Sequence, residues 1–228
     1  GAAPRLELAT LFNGLSLAFH IEPLGMLFAA LASTLWIVNS IYSIGYMRGN
    51  SEKHQTRFYI AFAVAIFAAL GVAVAGTLLT LFVFYETLTI STYPLVSHKG
   101  DAPTVRSARV YLGLLLATSI GLLLPAIIWT YAQAGTLAFT PGGILAGTGP
   151  LALGVLLAFF AFGTAKAGLM PVHRWLPSAM VAPTPVSALL HAVAVVKAGV
   201  FTILKVVIYI FGIDTLADAG ASQWLVWV

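Results

Sequence analysis

Between Arg109 and Lys166 the chain runs for 56 residues without a single Asp, Glu, Lys or Arg. One helical crossing of a bilayer takes about 20 apolar residues, so this stretch implies two crossings joined by an uncharged turn. The remainder agrees, with 60% of the 228 residues hydrophobic and 8% charged, where a soluble domain spends roughly a quarter on charge. Lipid offers backbone groups no partner, and a helix closes its own hydrogen bonds. The expectation is an all-α polytopic membrane protein of about six transmembrane helices.

Residues 1–22 read as an extramembrane hairpin or loop, because Leu15, Leu17, Phe19 and Ile21 alternate with Ser16, Ala18, His20 and Glu22. Residues 23–211 form the transmembrane domain. Its first span lies within the charge-free run from Pro23 to Met47. Phe58 to Val96 is too long for one crossing and splits at Gly76-Thr77. A fourth span covers Val110 to Tyr131, a Gly- and Pro-rich loop follows, and a fifth covers Leu151 to Met170. Pro171 and Pro177 then break the helix, while Pro183 and Pro185 open the sixth span, which ends near Phe211. Residues 212–228 read as an external loop and the start of a truncated further span, so the sequence is expected to be a piece of something longer.

With six alternating spans, loops 48–57, 98–109 and 171–184 share one face. They hold Arg48, Lys53, Arg57, Lys99, Arg106, Arg109 and Arg174, against only Arg5 on the other face. The positive-inside rule places the basic set in the cytoplasm of a cell inner (plasma) membrane. The net charge of +4 therefore reports topology; the expected surroundings are lipid bilayer, not nucleic acid. There is no cysteine, which excludes disulfides and cysteine-held iron–sulfur clusters. No cofactor is expected.

Glu86 and Lys166 stand inside apolar segments. Glu86 lies about ten residues from the nearest basic loop, hence about 15 Å deep in a ~30 Å core, too deep to snorkel. A charge at that depth costs a few kcal/mol unless it faces protein or water, and the simplest partner for Glu86 is Lys166. Burial disfavours both charged forms and pairing restores them, so opening and closing the pair swings proton affinity. The competing reading is a static ion pair locking two helices.

His191, Lys197 and Lys205 share the sixth span. On a regular helix Lys197 lies about 120° from His191 and Lys205 about 80° from Lys197, so they make no straight stripe. His191 is either a proton relay or a core histidine, and Lys205 either joins the pathway or snorkels from the outer end. His173 either bounds the mouth of the path or caps the break. His20, His54 and His98 lack metal-ligand spacing, and no metal site is expected. The hydroxyls of Thr89, Ser91 and Thr92 either solvate a proton wire or back-bond to the helix.

The segments Lys166-Ala167-Gly168-Leu169-Met170-Pro171-Val172-His173-Arg174-Trp175-Leu176-Pro177 and Ala182-Pro183-Thr184-Pro185-Val186-Ser187-Ala188-Leu189-Leu190-His191 resemble the signature of antiporter-like subunits. Such subunits occur in respiratory complex I, Mrp-type sodium/proton antiporters and membrane-bound hydrogenases. Phe84-Tyr85-Glu86-Thr87-Leu88-Thr89 resembles the family's glutamate motif, and the run from His191 to Val200 looks closer to the D-type subunits of Mrp antiporters. The resemblance implies that Glu86 and Lys166 are the paired glutamate and broken-helix lysine. It also implies that His191 and Lys197 are relay positions, and that the partners are homologous antiporter-like membrane subunits. The function it implies is a proton-translocating subunit of a multi-subunit cation/proton antiporter, with sodium an open candidate for the exchanged ion. The alternatives are a proton-pumping membrane-arm subunit of a complex I-like or hydrogenase oxidoreductase and a structural membrane subunit. Members of this family usually contain two inverted five-helix repeats; here the first repeat and the span before it are expected.

Overall fold

The structure, a computed structural model, describes residues 4–12, 15–220 and 222–224. Strands β1 (Arg5–Phe12) and β2 (Leu15–His20) pair antiparallel, with Arg5 opposite His20. Six helical units follow: α1 (Pro23–Gly49), α2 (Gln55–Ala73), α3 (Leu78–Val96), α4 (Ala102–Ala134), α5 (Pro150–Gly163) and, after the short helix α6 (Trp175–Ala179), α7 (Thr184–Phe211). A last short helix, α8, spans Ile213–Ala219. Among the described residues five of these are long and apolar enough to cross a membrane; α5, with 14 residues, is the shorter one. The further span expected near the C-terminus falls from Leu225 onward outside the described residues.

Helix starts follow from local chemistry. Pro23 opens α1, where its missing N–H is not needed. Thr77 caps α3 by accepting from the Thr80 amide at 3.2 Å, and Asp101 caps α4 by accepting from Thr104 at 3.2 Å. That second cap corrects the expected fourth span: helix begins at Ala102, not Val110. Arg106 and Arg109 lie on exposed positions of its first turns, which a helix end at a membrane surface tolerates. Within α4 a π turn over Ser119–Leu123 precedes Pro125 and absorbs the hydrogen bond that Pro125 cannot donate.

Helices α2 and α3 form the closest pair. Ala65, Ala68, Ala69 and Ala73 of α2 are fully buried, and small side chains let helix backbones approach where lipid provides no hydrophobic drive. The outer side of α1 exposes Leu27, Val38 and Ile41, as a lipid-facing surface does.

The connections gather at two ends. At one, the Arg57 guanidinium donates to the His98 carbonyl at 3.3 Å, and His98 Nε2 stands 3.7 Å from Glu52. At the other, the hairpin, residues 74–77 and the loop after α4 are hydrogen-bonded together; Gly76 N donates to the Ala18 carbonyl at 2.7 Å and Leu78 N to that of Leu137 at 2.9 Å.

Candidate functional site: a buried lysine at a helix break

The fifth span does not run to Met170. Helix α5 stops at Gly163, and residues Ala165–Ala167 make a 3₁₀ turn closed by Gly168 at φ +80°. Two glycines shape this break. A Cβ on Gly163 would meet the Leu123 backbone at 2.5 Å, and one on Gly199 would meet the Lys166 carbonyl carbon at 2.5 Å. Only glycine allows α5 to end against the π turn of α4 while α7 passes directly over the 3₁₀ turn. The Trp175 indole N–H, from α6, donates to the Ala165 carbonyl at 2.7 Å. The prolines follow the break and shape α6 and the start of α7, but the chain has left the helix before reaching them.

Lys166 is fully buried inside this break. Its Nζ donates to the Tyr85 carbonyl at 2.8 Å and to Thr89 Oγ1 at 2.6 Å, and it sits 3.1 Å from the Tyr85 ring centroid. All three contacts are neutral oxygens or π density, which solvate an ammonium without neutralising it. Tyr85, Thr89 and Thr92 are spaced four and three apart and so share one face of α3. Glu86, the next residue, is turned about 100° from Tyr85. Both Glu86 carboxylate oxygens are buried and have no hydrogen-bond partner among the described residues. The ion pairs among those residues are Arg5–Glu7, His98–Glu52 and Lys205–Glu22. Glu86 and Lys166 occupy the same interior without touching, so the expected pair is open in this conformation.

His191 falls within a π turn, Leu189–Val193, where Ala194 N reaches back to the Leu189 carbonyl at 2.8 Å. Its ring stacks on Trp175 at 6.3 Å between centroids, and its Nε2 is buried without a partner. Trp175 in turn packs edge-on to Tyr111 at 5.7 Å, whose hydroxyl is 2.7 Å from Thr92 Oγ1. Trp175 therefore touches both the Lys166 turn and His191. His173 is half-buried beside the break with its Nδ1 unpartnered. The π turn voids the regular-helix angles on this span. Lys197 is exposed and lines an apolar groove with Leu24, Leu27, Leu31 and Leu204, facing away from the interior that holds Lys166.

Lys205 departs furthest from expectation. It does not snorkel: it is fully buried, 2.5 Å from Glu22 Oε1 and donating to the Ala75 carbonyl at 2.6 Å. Glu22 was invisible as a partner because alternation placed it on a hairpin strand; its one signal was an acidic residue immediately before Pro23 and a long apolar run. Tyr85, Tyr111 and Trp175 were also missed as contributors, although Tyr85 stands four residues before Thr89, the spacing that puts two side chains over one spot. Among the described residues no cluster of His, Cys, Asp and Glu has metal-binding geometry.

Known proteins resemble this chain over most of its length. The family described as "NADH:quinone oxidoreductase/Mrp antiporter, TM" matches residues 75–228. Component B of hydrogenase-4 from Escherichia coli (strain K12) is 33% identical over 215 residues, covering 93% of this chain and 31% of that protein. A Na(+)/H(+) antiporter subunit of Alkalihalophilus pseudofirmus is 29% identical, over 92% of this chain and 26% of the relative. In the solved Mrp complex from Dietzia sp. DQ12-45-1b, one chain superposes with a TM-score of 0.78 at 26% identity, covering 89% of this chain and 22% of that one. The sequence thus spans less than a third of the length of each of these proteins.

Proposed function

From the premise that this chain belongs to the NADH:quinone oxidoreductase/Mrp antiporter transmembrane family, we propose that it is part of a proton-translocating subunit of a multi-subunit cation/proton antiporter. Protons pass through Glu86, Lys166, His191 and Lys197. The observation that carries this reading is the Lys166 site: a fully buried ammonium held by neutral acceptors, with a buried, unpartnered carboxylate in the same interior. A structural ion pair has no reason to stand open, since each isolated charge then bears its desolvation cost. Two groups that meet in one state and part in another change each other's hold on a proton, which is what a gate requires.

The geometry suggests a division of labour. Glu86 biases Lys166 by approaching or leaving it. Thr89 and the Tyr85 carbonyl hold the ammonium while the pair is open. Trp175 fixes the break and keeps the His191 ring in place beside it. Lys197, turned to the far side of α7, hands the proton to whatever covers the groove with α1, and partner antiporter-like subunits complete the route. The basic loops face the cytoplasm of the plasma membrane on the positive-inside argument. The relative in hydrogenase-4 favours a second reading, a proton-pumping membrane arm of an oxidoreductase.

The test is proton flux in sealed vesicles carrying the assembled complex. Lys166→Ala and Glu86→Gln should each reduce cation-driven proton flux to the vesicle background while assembly is retained. Flux dependent on an added cation supports the antiporter reading, and flux dependent on an electron donor supports the oxidoreductase one. Full transport by Lys166→Ala would remove the lysine from the path and leave a scaffold.

A further inference from the structure

The transport route proposed above makes no use of the second buried charge pair. Glu22 is 5% exposed and Lys205 not at all. They meet where four connections converge on the face opposite the basic loops. His20 N donates to the Val74 carbonyl at 2.8 Å and Thr77 Oγ1 to that of Ser16 at 2.8 Å, tying the hairpin to the α2–α3 connection. Phe139 N donates to the Gly76 carbonyl at 3.3 Å, tying in the loop after α4. Thr140 N and Ile144 N donate to the carbonyls of Tyr209 and Ile210 at 3.3 and 2.8 Å, tying that loop to the end of α7. Those acceptors lie in the π turn Val207–Phe211, where the widened helix frees carbonyls.

Lys205 sits at the centre of this junction and touches each part. Its Nζ bonds Glu22 at the start of α1 and the Ala75 carbonyl between α2 and α3, and lies 4.5 Å from the Phe139 ring centroid in the loop after α4. Tyr209, one turn further along α7, also lies against Glu22. Two glycines let the strands of this junction close. A Cβ on Gly76 would crowd the Ala18 carbonyl at 3.1 Å, and one on Gly143 would meet the Phe211 carbonyl carbon at 2.5 Å. Irregular backbone at membrane depth needs its polar groups satisfied inside the protein. Here a paired lysine satisfies one of them, and the pair itself spends no carboxylate on solvent.

We propose that the Glu22–Lys205 pair is the lock of this face: it holds the four connections shut over the bundle interior, so that protons reaching the Lys166 site do not leak straight across the membrane. The proposal rests on the proton-translocating reading for its purpose. Its test is separate, because passive leak is measured without turnover.

Sealed vesicles carrying the assembled complex are given a pH step with no exchangeable cation present, and the decay of the gradient is followed. Glu22→Gln and Lys205→Met, each of which leaves one charge alone, should speed the decay at least tenfold. Lys205→Arg keeps the pair and should hold the gradient as the wild type does. Lys166→Ala should also hold it, so a failed transport reading and a failed lock reading give different patterns. Should either neutral variant not assemble, Glu22→Asp keeps the charge but shortens the reach, and should leak several-fold faster. Wild-type tightness in Glu22→Gln, or in Glu22→Asp when it carries the test, overturns the lock. So does a Lys205→Arg complex that leaks like Lys205→Met, since the pair would then not be what closes the face.

Discussion

Gly199→Ala is the smallest change that should disable the Lys166 site without touching a charge. A Cβ there would stand 2.5 Å from the Lys166 carbonyl carbon, whereas carbon atoms rest about 3.5–4.0 Å apart, so one side must retreat by about 1 Å. The obstacle is backbone, which cannot rotate away. If the 3₁₀ turn moves, the Nζ contacts of 2.8 and 2.6 Å to Tyr85 and Thr89 stretch past the hydrogen-bond limit. Each such charged bond contributes about 1.5–3 kcal/mol. If α7 moves instead, overpacking costs about 1–3 kcal/mol, which is the cheaper response and displaces His191 from Trp175. We expect a stability loss of about 1–3 kcal/mol and at least a tenfold fall in cation-driven proton flux per assembled complex. Melting of the purified complex and flux in vesicles give the two readings. Gly154→Ala is the control, since a Cβ there meets nothing within 4 Å and alanine favours helix by up to about 1 kcal/mol. Wild-type melting and flux in Gly199→Ala would refute the claim that close passage of α7 positions Lys166.

Trp175→Phe keeps the ring stacking on His191 but deletes the bond to the Ala165 carbonyl at 2.7 Å; the orphaned carbonyl should cost about 1–3 kcal/mol and lower flux several-fold, read by the same melting and flux assays. Tyr111→Phe removes only the hydroxyl 2.7 Å from Thr92, which still bonds the Leu88 carbonyl, so melting should register about 1 kcal/mol or less. On the basic face, burial pushes His98 below the usual histidine range, partly opposed by Glu52. The unfolded loop then binds the proton more readily, so docking of residues 50–57 on 97–101 is full above about pH 6.5 and weakens as pH falls below it. Hydrogen exchange in these loops should accelerate on acidification in the wild type and lose that dependence in His98→Phe.

The crossings were legible because lipid imposes one rule on every segment: long charge-free runs must be helices, and Gly76 was the one breaker able to divide Phe58 to Val96. The glutamate and lysine of the site were legible for the same reason, as charges where charges are costly. What the sequence could not show was which neutral groups receive them. Lys166 is held by Tyr85 and Thr89 because α3 turns that face, not the Glu86 face, toward the break. Prolines drew attention to residue 171, but the helix ends at Gly163 because two backbones pass within contact of glycines there and at Gly199. Arg106 and Arg109 read as loop because charge marks a membrane surface, yet a capped helix carries them on its exposed side. Lys205 read as a snorkelling end residue because position along one span says nothing about Glu22, 183 residues earlier in the chain. The π turns at 119–123, 189–193 and 207–211 leave no period in the sequence, and they decide where His191 and Lys197 face.

The measurement closest to the central claim is cation-driven proton flux by the assembled complex carrying Lys166→Met. The side chain is of similar length and needs no counter-charge, and replacing a buried charge by a packed apolar group is often neutral or stabilising. The complex should assemble and melt at or above the wild-type temperature while its flux falls to the vesicle background. Flux at the wild-type rate in that complex would contradict the account, because the proton would then be crossing without Lys166.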